Sequence, residues 1–165
     1  MAKLQKIYPC LWFDNQAEEA AKFYVSIFKN SKLGHIARYD EASSKASGRP
    51  KGSVMTVTFN LDGQDFMGLN GGPVFKFSEA ISFVVNCENQ EEIDYHWNKL
   101  TSDGGEESVC GWLKDKYGLS WQIVPAVMDE MMSDKDKKKV ERVMKAMLQM
   151  KKLDIKKLQD AYDGK

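Results

Sequence analysis

The feature that most limits how this chain can fold is an internal repeat. Ala20, Tyr24 and Ile27 recur at helical spacing, and Ile93, Trp97 and Leu100 repeat them 73 positions further on. Each triplet follows an apolar run suited to a buried strand, residues 7–13 in the first half and 80–86 in the second. Both runs enter the helix through an asparagine with a glutamate three residues later, Asn15 with Glu18 and Asn89 with Glu92, a spacing that caps a helix start. Strands are expected next at 32–39, 53–61 and 64–69, and again at 106–110, 111–114 and 120–124. Asp62-Gly63 reads as a tight hairpin turn because a type I′ turn needs positive φ at both central positions, and Gly118 stands at the matching place in the second half. The pattern is βαβββ twice. Each unit is small for a core of its own, so the two are expected to share one sheet system.

The 165 residues suit one domain: residues 1–127 holding the two units, about 6–72 and 79–125, then a helical extension over 128–165. In the extension Val140, Val143, Met144, Met147 and Leu148 form one apolar stripe, and Ile155, Leu158 and Ala161 form another that starts at Asp154 and stops before Gly164. Two roles are open for it, packing on its own domain or docking a partner. Residues 40–52, rich in Ser, Ala, Lys and Gly, read as a long mobile loop. Twenty-four basic residues balance twenty-four acidic ones, which disfavours nucleic acid as a partner. Neither a signal peptide nor a membrane span is visible, and three cysteines without a Cys-x-x-Cys spacing fit a reducing cytoplasm.

Several local strings give the repeat a resemblance. Pro9-Cys10-Leu11-Trp12-Phe13-Asp14, Ala17-Glu18-Glu19-Ala20 with Phe23-Tyr24, Leu69-Asn70-Gly71-Gly72-Pro73, Cys110-Gly111-Trp112-Leu113-Lys114-Asp115 and residues 118–125 together resemble the PhnB-like branch of the vicinal oxygen chelate superfamily. The resemblance implies an α+β fold, a cupped eight-stranded mixed sheet with outer helices, and a homodimer. It also implies ligand positions for a catalytic metal near Tyr8, Met67, Ala80 and Gln122, or Leu69 in place of Met67 if that match slips by two residues. None of these is a histidine or carboxylate, so neither a metal nor another cofactor is expected. Members of the branch are often described as demethylubiquinone methyltransferases, which implies S-adenosylmethionine. A methyltransferase of that kind usually binds this cofactor at a glycine-rich turn after the first strand, where this chain has Asp14-Asn15-Gln16.

Strand alternation then assigns faces. Ile7, Pro9, Leu11 and Phe13 should meet the helix, which leaves Tyr8, Cys10 and Trp12 on the open side. Trp121 and Ile123 should face the second helix, which leaves Ser120, Gln122 and Val124 open beside Ala80, Ser82 and Val84. The expected pocket residues are Tyr8, Cys10, Trp12, Met67, Ser82 and Gln122, an aromatic and neutral set suited to a small molecule. Cys10 is the one nucleophile this geometry favours, yet neither His35 nor His96 is required to lie near it, so no catalytic residue is assigned. Lys114 and Asp115 read as a solvated turn. Two functions remain open: a metal-free module binding a small, partly apolar molecule, or an enzyme using a recruited metal or Cys10.

Overall fold

In the computed structural model, which describes residues 5–165, the chain divides into two compact units between Lys76 and Phe77. The first holds β1 (Cys10–Phe13), α1 (Ala17–Ile27), β2 (Lys32–Arg38), α2 (Glu41–Ser47), β3 (Val54–Leu61) and β4 (Gln64–Asn70). The second holds β5 (Ser82–Cys87), α3 (Gln90–Leu100), β6 (Glu106–Glu107), β7 (Trp112–Lys114) and β8 (Ser120–Pro125), followed by α4 (Val127–Met132), α5 (Lys137–Met147) and α6 (Ile155–Asp163). The sheet order β1-β4-β3-β2 returns as β5-β8-β7-β6. In each sheet the first pair is parallel and the other neighbours are antiparallel. The α+β fold is therefore two βαβββ units, their eight strands forming two mixed sheets of four.

Period-2 alternation builds each core. Leu11, Phe13, Val57, Phe59, Leu61 and Phe66 are buried with Ala17, Ala20, Ala21, Tyr24 and Ile27 of α1. Tyr24 and Phe66 flank Phe59, with ring centroids 6.1 and 5.3 Å away. In the second unit Leu113, Trp121 and Ile123 meet Ile93, Trp97 and Leu100 of α3. The expected turn at Asp62-Gly63 is present: φ is 46° and 87°, and Leu61 pairs directly with Gln64. Asn89 caps α3 as expected, accepting from the Glu92 amide at 2.9 Å.

Four local expectations are corrected. The first strand begins at Cys10, not at residue 7, and Ile7 is 88% exposed rather than turned to the helix. Proline at position 9 has no N–H for a ladder, and pairing starts from its carbonyl, which accepts from Met67 N at 3.0 Å. At α1 the cap position is Gln16, without a side-chain bond; the Ala17 amide donates instead to Asn70 Oδ1 at 2.8 Å, 53 residues away in sequence. Residues 40–52 carry the short helix α2, closed by a capping box between Asp40 and Ser43 and by Gly48 in the left-handed region. In α5 Val143 is fully buried but Leu148, one residue past the helix, is 57% exposed.

The extension packs within the second unit. Met128, Met131, Val143, Leu153 and Leu158 form its buried cluster, with Val124 of β8 against it. Backbone bonds tie it to the strands: Cys110 N and Gly111 N donate to Met150 O and Lys151 O, both at 2.8 Å. Gln90 of α3 donates to Leu153 O and accepts from Ile155 N. Asp154 caps α6 and Gly164 ends it, as the sequence predicts. Among the described residues no helix is long and apolar enough to cross a membrane.

Candidate functional site

The sheet faces turned away from α1 and α3 carry the candidate residues. In the first unit Cys10 pairs with Met67 and Trp12 with Leu69, so these four side chains share a face. Trp12 is fixed there: its indole N–H donates to Gly72 O at 2.8 Å and its ring meets Phe75 edge-on at 5.0 Å. Gly71 has to be glycine for this, because a Cβ at that position would clash with Trp12 Cζ2. Tyr8 lies ahead of β1 and is 44% exposed.

In the second unit the register sets two rows across the open face. Ser82, Ser120 and Lys114 form one; Val84, Gln122 and Trp112 form the other. Gln122 Nε2 donates to Ser82 Oγ at 2.9 Å, which brings those two expected residues together. Beside them a cavity of about 380 Å³ is walled by Val109, Cys110, Trp112, Lys114, Ser120 and Glu79, among others. Ser120 is 1% exposed, and its hydroxyl has no hydrogen-bond partner. Lys114 Nζ and Glu79 Oε1 lie 2.5 Å apart, and each holds the other charged: the hydrogen bond raises the lysine pKa and lowers that of the glutamate. One cavity wall is a tight turn at Val109–Trp112, where Trp112 N donates to Val109 O at 3.1 Å. Its central residues Cys110 and Gly111 have φ of 58° and 83°, a conformation unusual for cysteine and held by the bonds from the extension.

Sequence reasoning missed this cavity apart from the inward Ser120. Cys110-Gly111 has the same residue-then-glycine form as Asp62-Gly63, and that was the available signal for a turn. Lys114 is on the sheet face, not in a solvated turn, and Asp115 is buried at 2% exposure. Asp115 accepts from the Tyr117 and Leu119 amides and from the Trp121 indole, at 2.9, 3.1 and 2.9 Å, and so organises the hairpin from beneath.

Neither Cys10 nor Cys87 is an activated nucleophile. Burial raises the Cys10 pKa, and the thiolate is correspondingly disfavoured. Cys87 Sγ is 3.8 Å from His96 Nδ1, but that nitrogen is 2.9 Å from Glu92 O, which can only accept, so Nδ1 carries the proton and is no base for the thiol. Burial and the Glu92 charge push the Cys87 pKa to about 11.

Two units of this topology, each sheet covered by one helix, are the fold implied by the sequence resemblance to the vicinal oxygen chelate superfamily. The model of the family 3-demethylubiquinone-9 3-methyltransferase matches residues 5–124, and the chain belongs to that PhnB-like family. The PhnB protein of Bacillus cereus is 40% identical, with 74% of this chain and all of that one covered at a TM-score of 0.65. A protein of Pseudomonas aeruginosa shares the fold at 19% identity, 74% and 98% coverage and a TM-score of 0.58. The fosfomycin resistance protein FosX of Listeria monocytogenes, solved with Mn(II) and sulfate, does so at 13% identity, 80% and 96% coverage and 0.52. No curated protein matches the chain.

The groups implied by the sequence resemblance do not fit the residues present. Of the positions implied for a metal, Tyr8 is outside the strand, Met67 is a thioether, Ala80 lies in an exposed turn before β5, and Gln122 offers only a neutral amide oxygen. Among the described residues no three His, Cys, Asp or Glu side chains gather in a metal-holding group. For S-adenosylmethionine, the turn after β1 is Asp14-Asn15-Gln16 without a glycine, and the first amide of α1 is already bonded to Asn70.

Proposed function

We propose that this protein is a homodimeric module that binds a small, partly apolar molecule without a metal or organic cofactor, in the cytoplasm. The observation that carries the reading is the largely apolar cavity beside β7, lined among others by Ser120, whose buried hydroxyl has no partner. A buried hydroxyl without a partner is costly, and a ligand oxygen or nitrogen would relieve it. A volume of about 380 Å³ is in the range of small-molecule sites. The open sheet faces extend the reading to Tyr8, Cys10, Trp12 and Met67 in the first unit and to Ser82 and Gln122 in the second. Exposed Val74, Phe75 and Ile81 support a dimer contact, and three free cysteines fit a reducing compartment.

A thermal-shift screen of a broad compound library tests the binding function. A ligand at 100 times its Kd should add about 2.7 kcal/mol of stability, and Trp112→Ala should abolish its effect. A library without a single stabilising compound would remove the support for a pocket, and stoichiometric metal surviving dialysis would overturn the metal-free reading. Light scattering at micromolar concentration should give twice 18.8 kDa; a monomer mass contradicts the dimer.

A further inference from the structure

From the cavity of the second unit we infer the class of ligand: a small monocarboxylate with a flat apolar body. This rests on the binding function proposed above and adds the charge and orientation of what is bound. Lys114 and Ser120 are direct cross-strand partners, so their side chains rise next to each other from one sheet face. The lysine ammonium carries three N–H groups, and Glu79 Oε1 occupies one of them. The Ser120 hydroxyl donates to nothing in the protein. Both residues line one cavity, with Trp112 and Val109 as its apolar walls, and the Ser120 hydroxyl is buried beneath its surface. A carboxylate satisfies both, one oxygen on Ser120 and the charge on Lys114, while the apolar body lies along Trp112.

Lys114 has two acidic neighbours, Glu79 in an ion pair and Glu106 as its cross-strand partner on β6, and Glu79 is the one that competes directly for its ammonium. Its side chain is 62% exposed against 36% for the lysine, and an exposed ion pair of this kind is weakly held. An incoming carboxylate takes the lysine, and Glu79 turns to water. Removal of Glu79 should therefore strengthen binding, a result that a merely structural role for the pair would not produce.

Titration calorimetry with three similar probes at pH 7, phenylacetate, phenylacetamide and phenethylamine, tests this on the full chain. Phenylacetate should bind roughly tenfold or more tightly than the other two, in line with a hydrogen bond to a charged group. Glu79→Gln should tighten phenylacetate, and Ser120→Ala should weaken it about tenfold without lowering the melting temperature, since removing an unpartnered buried hydroxyl relieves a cost and breaks no bond. Equal or better binding of the amide or the amine overturns the carboxylate assignment and leaves the binding module standing, as does a weaker phenylacetate complex in Glu79→Gln. Failure of all three probes also overturns the assignment; the binding module itself falls only if the broad library fails as well.

Discussion

Asp115 shows how one residue can set a hairpin. Its carboxylate is buried between β7 and β8, and it accepts from two backbone amides and the Trp121 indole. Asp115→Ala strands those donors inside the protein, and the expected loss is about 3–5 kcal/mol. Asp115→Asn keeps one carbonyl oxygen as acceptor and should cost less, about 1–2 kcal/mol. Urea unfolding with an unchanged slope measures both, and equal losses for the two variants would argue against the carboxylate's role. The same scale explains Trp12. Alternation alone placed it on the open face, but the Gly72 carbonyl and the ring of Phe75 fix its orientation.

At the scale of elements, α2 and α6 illustrate two ways of holding a short helix. None of the residues of α2 is buried, and its hold on the unit passes through Arg49, whose Nη2 donates to Asp14 O at 2.9 Å and whose own carbonyl accepts from Ser44 Oγ. Arg49→Ala should speed hydrogen exchange of the amides at 44–48 at least roughly tenfold and change global stability by less than about 1 kcal/mol. Unchanged exchange there would show that the capping box is sufficient by itself. By contrast α6 is locked at its C-terminus, where Arg142 donates to Ala161 O and Tyr162 O at 2.7 and 2.6 Å and the Tyr162 hydroxyl donates to Asp134. Positive charge at that end also suits the helix dipole.

For the whole molecule, alkaline stability depends on a core thiol. The Cys87 pKa is raised from the ordinary 9.0 to about 11 by burial first and the Glu92 charge second. Between those values the unfolded chain loses the thiol proton while the folded chain keeps it, so stability falls as pH rises from about 9 to about 11. Below 9.0 this contribution is fully present. Urea midpoints of the parent and Cys87→Ala should thus converge over that window, and parallel curves would refute the assignment. Much of the architecture was legible in the order of residues. The repeat, both helix faces, the Asp62-Gly63 turn, the caps of α3 and α6 and the open-face placement of Trp12, Ser82, Ser120 and Gln122 depend on periodicity and turn chemistry, which act over a few neighbouring positions. Other features were not legible. The cap on α1 comes from Asn70, α2 is anchored through Asp14, Ser120 lines a cavity walled partly by Glu79, and the Cys110 turn is held from Met150. Those partners lie some 35 to 53 positions away in sequence, and chain order does not state which distant groups meet until the sheets and the extension have packed.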